Sequence, residues 1–294
     1  MKMSISSRSA LAGEEKQPMR LSQLLHKILV YVLLIGGAII FLLPFLWMLT
    51  TSLKPAKEVF TFPPQFLPTT FEWHNYLDGW LALPFTTFLI NTSIITIANV
   101  VGNLISCTLP AYAFARLQAR GRNFMFVLML ATMMIPAEVT LVPTFLLFSK
   151  IGFVNTFWPL ILPAWLGYPF SIFLLRQFFM GIPRELDDAA RIEGATDLQI
   201  LTRIILPLSK PALATVAIVA FVGNWNNLLA PLIYLRSNDK LTLALGLKLF
   251  DGQYITFFNQ LMAVSILTIL PIVVTFFFTQ KYFIRGVTLT GADR

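Results

Sequence analysis

The sequence predicts an all-α membrane protein with six transmembrane helices. Three observations point there: the composition, the spacing of charge-free runs, and the side on which basic residues fall. Of 294 residues, 56% are hydrophobic and only 12% charged, where soluble domains carry about 25% charged residues. Mean hydropathy is +0.73. A water-soluble core of this size could not hide so much apolar surface, so lipid is the solvent for most of the chain. The net charge of +8 does not call for nucleic acid, because basic residues of membrane proteins gather in cytoplasmic loops. One cysteine, Cys107, excludes an intrachain disulfide, and His26 and His74 lie far apart with no carboxylate or thiol cluster beside them.

Residues 1–20 are polar and read as a flexible cytoplasmic tail; everything from 21 to 294 reads as one six-span domain. A spanning helix needs about 20 mostly apolar residues. Ile28–Leu53 supplies the first. Lys54–Asp78 then forms an outer loop rich in proline and aromatics, read either as an interfacial belt or as part of a platform for an external binding protein. Gly79–Ala115 is too long for one span, so its membrane part is set near Phe88–Phe114, with a short interfacial segment before it. Asn123–Ser149 is a span broken only by Glu138, and Ile151–Leu175, Pro211–Leu235 and Gly252–Gln280 complete the set. Prolines inside these runs, including Pro110, Pro136, Pro143 and Pro271, predict kinks that a bundle tolerates when neighbours satisfy the freed backbone. With six spans, 16 of the 22 Lys and Arg residues fall on the side of the termini and of the 183–210 loop. Both termini and that loop are therefore expected in the cytoplasm.

The 183–210 loop, PRELDDAARIEGATDLQILTRIILPLSK, is a charged island between apolar runs. Pro183 suits a first helical turn. Glu185, Asp187 and Asp188 crowd the positive end of the helix dipole. Leu186, Ala189 and Ala190 share a face by spacing. Gly194 supplies a stop, and Thr196 with Gln199 fits a capping box for a second short helix. The product is a helix–glycine–helix elbow with a small apolar face. It either docks a partner or lies on the inner membrane surface.

Within the elbow, Asp188-Ala189-Ala190, three residues, Gly194, nine residues, Ile204, one residue and Leu206-Pro207 resemble the "EAA" loop of binding-protein-dependent ABC importer permeases, with Asp188 where that family has Glu. PFLWMLTTSLKP at 44–55, AYAFARL at 111–117, IPAEVTLVP at 135–143, FLLRQFF at 173–179, NWNNLLAPL at 224–232 and YFIRGVTLTGA at 282–292 are similar, in order and spacing, to carbohydrate-importer permeases, typified by the second permease of maltose importers. The resemblance implies a type I ABC importer permease fold in the bacterial inner membrane. It implies that Glu185, Asp188, Ala189, Ala190, Gly194, Ala195, Ile204, Leu206 and Pro207 form the coupling surface for an ATPase. The chain has no phosphate-cradling G-x-x-x-x-G-K-[ST] loop, so a partner ATPase dimer would bind the ATP and Mg. A second permease subunit, an extracellular solute-binding protein and membrane lipid complete the implied partners, and the C-terminal stretch 286–294 is expected to reach the ATPase. The function so implied is permease, not enzyme, for a di- or oligosaccharide, with glycerol-3-phosphate or another polyol as the alternative.

Candidate pathway residues are intramembrane polar groups. Glu138 is the one ionisable residue deep in a span, read either as facing a cavity or as a structural hydrogen bond beside Pro136 and Pro143. Asn224, Trp225, Asn226 and Asn227 offer a ring to stack on sugar C–H groups and amides to pair with hydroxyls, or else a packing role. Asn91, Asn99 and Asn103 share a helix face and read as interhelical glue. An ion-coupled carrier would need more intramembrane charges than Glu138 alone. A membrane enzyme would need a catalytic cluster, and HExxH, GxSxG and paired intramembrane carboxylates are all missing from the sequence.

Overall fold

The computed structural model describes residues 21–253 and 257–291, and no strand occurs among them. The tail at 1–20 and the last three residues of the C-terminal stretch lie outside the described residues. Residues up to Met48 form one unit and Leu49 onward a second. The first unit is most of helix α1 (Leu21–Ser52), whose apolar side chains, Leu33, Ile40 and Phe41 among them, are exposed. A helix apolar all round has no solvated face to offer water, and its environment is lipid or protein.

The second unit is built around α3 (Phe85–Arg116), preceded by the short α2 (His74–Ala82). This matches the expected interfacial segment followed by a span. Asn75 of α2 donates to the Ser52 and Lys54 carbonyls at 2.9 and 3.0 Å, and Asn259 donates to the Lys54 carbonyl and to Asn75 Oδ1. This buried amide pair pins the end of α1, α2 and the start of the last helix together.

After α3 come α4 (Arg122–Ala131), continued by a 3-10 turn to Met134, and α5 (Ala137–Lys150). The expected kink in the third span is instead a 94° bend. Pro136 gives up its N–H and Ile135, held extended before it, cannot continue the helix. Next are α6 (Trp158–Trp165) and α7 (Pro169–Met180), together long enough to cross a membrane, with Gly167 at φ +101° between them. The elbow follows as α8 (Glu185–Ile192), α9 (Asp197–Ile200), a π-helical turn at Leu201–Ile205 and α10 (Leu206–Leu208). The chain bends by 80° at Ser209 into α11 (Lys210–Trp225). The fifth span thus ends at Trp225 rather than Leu235, because Asn226–Leu228 break the helix before α12 (Leu229–Tyr234). The last elements are α13 (Leu243–Gln253) and α14 (Phe258–Gly291). Four helical segments are long and apolar enough to span, and the number rises to as many as six if each of the two bent pairs counts as one span.

Helix α3 packs on α6, α7 and α11, and α11 packs on α14. Its two ends sit in different cores. Phe85, Phe88 and Ile95 join Leu160, Trp225, Phe250 and Val264. Cys107, Ala111, Tyr112 and Ala115 join Leu175, Phe179, Ile200, Ile205 and Val216. Between them, α3 comes close to α6: Asn99 donates to the Leu160 carbonyl at 3.0 Å and Ser106 to the Ala164 carbonyl at 2.8 Å. Gly102 permits that approach, since a β-carbon there would lie 2.5 Å from the Trp165 ring.

Candidate functional site: a two-faced elbow and a polar cavity

Helix α8 ends as the sequence foretells. Gly194 takes φ +84°. The Ala195 amide donates to the Ala190 carbonyl at 2.9 Å and the Gly194 amide to the Arg191 carbonyl at 3.0 Å, a Schellman stop. Thr196 and Gln199 form both halves of the capping box that opens α9. Pro183 falls just before α8 rather than inside its first turn, and Arg184 is the residue at the cap.

The faces of α8 need one correction. Leu186, Ala189 and Ala190 do not share a surface. Leu186 and Ala189 point outward with Ile192, which is 88% exposed, whereas Ala190 is buried against the bundle. Glu185 and Asp188 are exposed beside the outward ridge. Gly194 is exposed and Ala195 half-buried; of the second half of the motif, Ile204 and Leu206 pack on the core and Pro207 is exposed. Leu198, at 62% exposure, extends the apolar ridge across the glycine stop. Arg191 bonds Asp197 at 2.9 Å and so ties the two helices of the elbow at their surface. That bond raises the Arg191 pKa above its ordinary value.

Sequence reasoning missed what holds the inner face. Asp187 is buried and sits 3.3 Å from the guanidinium of Arg116, the last residue of α3. Arg116 also donates to the Phe179 and Ile182 carbonyls at 2.5 and 2.6 Å. The signal was present as an arginine ending an apolar helix and a third acid in the α8 turn, but nothing local joined them.

Midway along α3, between the two cores, lies a cavity of about 590 Å³. It brings together Glu138, Asn224 and Asn227 with Asn99, Asn103, Thr140, Thr144, Tyr168 and Ser171. Among the described residues, no lysine or arginine lines it. Glu138 lies in the first turn of α5, where the helix dipole favours a carboxylate. The threonines were missed, although Ala137, Thr140 and Thr144 follow helical spacing and present a small polar stripe. Asn99 serves both as glue and as lining. Asn91 is glue only, donating to the Asp239 and Leu241 carbonyls.

Trp225 and Asn226 lie outside the cavity lining. The Trp225 ring is buried, stacked on Phe221 at 5.2 Å, and its Nε1 donates to the Thr268 carbonyl at 3.0 Å. Its ring face is occupied by Phe221, the arrangement expected of the packing alternative. Asn226 is exposed and donates to the Val222 carbonyl, away from the cavity lining.

A family profile described as "binding-protein-dependent transport system inner membrane component" matches residues 107–289, which contain the elbow and most of the cavity lining. The chain is 40% identical over 270 residues to the arabinooligosaccharides transport system permease protein AraQ of Halalkalibacterium halodurans, covering 90% of this chain and 96% of that protein. It is 33% identical over 264 residues to the sn-glycerol-3-phosphate transport system permease protein UgpE of Pectobacterium atrosepticum, covering 87% and 94%. Among solved structures, a chain from a bacterial ABC transporter involved in import of the acidic polysaccharide alginate superposes with a TM-score of 0.78 at 28% identity, over 90% of this chain and 98% of that one.

Proposed function

Because the chain belongs to the binding-protein-dependent transport system inner membrane components, we propose that it is the permease half-site of an ATP-driven importer of di- or oligosaccharides. The observation that carries this is the two-faced elbow: one side of α8 is welded to the bundle while Leu186, Ala189 and Ile192 stand out bare. An apolar ridge with a charged rim is what a docking helix needs. Its occupant is a partner ATPase dimer, which binds the ATP and Mg that this chain has no loop to hold. Closure of that dimer rocks the spans and switches the cavity between the two sides of the membrane. The chain itself performs no catalysis.

The cavity at the waist of α3 forms this chain's wall of the route. Its amides and hydroxyls suit sugar hydroxyls, and a second permease supplies the other wall. A cargo carrying phosphate is disfavoured by Glu138 and by the lack of any cation in the lining, which sets the sugar reading ahead of the glycerol-3-phosphate alternative. The distribution of basic residues supports a cytoplasmic setting for both termini and the elbow, with an extracellular solute-binding protein delivering cargo to the opposite face.

The test is purification of the tagged chain from membranes together with its partners. The second permease and the ATPase should accompany it, and Ile192→Asp should shed the ATPase while keeping the permease. Retention of the ATPase by Ile192→Asp combined with Leu186→Asp would remove α8 as the dock.

A further inference from the structure

We propose that the Arg116–Asp187 pair is the joint through which the docking helix moves α3, and with it the cavity wall. The inference rests on α8 being the ATPase dock and goes on to ask how force leaves it.

Beyond Asp187, the inner face of α8 is small. It buries only Ala190, whose methyl group gives little resistance to sliding. Asp187 lies 3.3 Å from Arg116, and both side chains are almost fully buried. Among the described residues, this is the one ion pair between α8 and α3. Arg116 is in turn fixed by the carbonyls of Phe179 in α7 and of Ile182 in the link to α8. One planar guanidinium therefore meets three pieces of chain: the end of α3, the end of α7 and the inner face of α8. Nη2 makes both carbonyl bonds, while Nη1 faces Asp187 as an ion pair without a hydrogen bond; the two ends of the planar fork thus point to different elements, which a lysine ammonium cannot reproduce.

Such a pair is poor evidence for stability, since desolvation of both charges offsets their attraction. It is better suited to fixing geometry. A displacement of α8 drags a buried charge, and the guanidinium must follow or lose its partner at the floor of a polar recess that the pair lines with Arg184, Asp188, Arg191 and Asp197. From Arg116, α3 runs unbroken to Asn103 and Asn99 in the cavity lining. The path from Arg116 to Asn99 is about 25 Å of helix. Arg116 and Asp187 are thus positioning residues: neither lines the cavity, and both face away from the outward ridge.

The experiment is reconstitution of the whole importer in lipid vesicles, with sugar uptake and ATP hydrolysis measured on the same preparation. Asp187→Asn removes the charge and keeps the shape. The expected result is an assembly that holds its ATPase in wild-type proportion but consumes at least tenfold more ATP per sugar carried. Arg116→Lys keeps the charge and loses the fork, and should raise that ratio by a smaller factor, about threefold. An unchanged ratio in Asp187→Asn overturns the joint. So does loss of the ATPase from the assembly, because the pair would then only shape the docking surface. If Asp187→Asn does not accumulate in membranes, Arg116→Lys decides alone: a raised ratio supports the joint and a wild-type ratio overturns it. A wild-type assembly without ATP-driven uptake would instead refute the importer reading itself.

Discussion

Gly194 offers a clean measurement of what the elbow's turn demands. Its φ is +84°, and a β-carbon built there meets nothing within 4 Å. Substitution therefore tests backbone conformation alone, without a clash. For an L-residue the left-handed region costs roughly 1–2 kcal/mol, with Asn the most tolerant and β-branched residues the least. The series Gly194→Asn, Gly194→Ala, Gly194→Val should rise in that order, from a few tenths to about 1 and then about 2 kcal/mol or more. The structural reporter is the Ala195 amide, which closes the Schellman stop on the Ala190 carbonyl. Hydrogen exchange at that amide, in the detergent-solubilised chain, should speed up by about fivefold for Ala and about thirtyfold for Val. Uptake by the assembled importer should fall in the same order. Equal exchange rates for Gly, Ala and Val would show that the turn does not depend on a left-handed residue, and the account of the elbow would be wrong.

Three further outcomes are expected. Gly102→Ala, forced against the Trp165 ring, should lower thermal stability by about 1–3 kcal/mol, whereas Gly223→Ala, in an open stretch of α11, should be neutral or stabilising in the same melting assay. Asn155 holds φ +61° while its Oδ1 accepts the amides of Arg236 and Ser237 and the Ser237 hydroxyl; Asn155→Ala should destabilise by about 1–3 kcal/mol and Asn155→Asp, which keeps the acceptor, should recover most of it. Glu58 is held below its ordinary value of 4.5 first by its bond from the Thr69 hydroxyl. A depressed folded-state pKa means the bond contributes fully above that value and is lost as pH falls through the lower folded one, so the protection of the Thr69 amide, which also donates to Glu58, measured against its intrinsic exchange rate, should hold at neutral pH and fall only on the acid side of about pH 4.5, and equal protection in Glu58→Ala at neutral pH would refute the contact.

Features written in short stretches of sequence were legible. The Thr196–Gln199 box and the Gly194 stop each involve residues within five positions, and both form as read. The start of α3 after an interfacial helix was legible from run length. What was not legible depends on partners far along the chain. Asp187 and Arg116 are 3.3 Å apart in space but lie on different helices, and no periodicity links them. Helical spacing placed Ala189 beside Ala190, yet which side of α8 meets the core is decided by that distant arginine. Trp225 reads equally well as a sugar platform or a core ring until Phe221 and Thr268 are seen against it. Likewise Pro136 announces a break but not its angle, which packing sets at 94°.

That bend carries a consequence for the bilayer itself. A helix that stops at Met134 and restarts at Ala137 closes part of its ends locally, with the Ile135 amide on the Thr132 carbonyl, the Thr132 hydroxyl on the Met129 carbonyl and the Val139 amide on the Pro136 carbonyl, and leaves the remaining terminal groups to find partners elsewhere. Hydrocarbon cannot satisfy them. The lipid sheath around this molecule must therefore part at Ile135–Pro136, and whatever sits there, whether moisture or another subunit, has to offer hydrogen bonds.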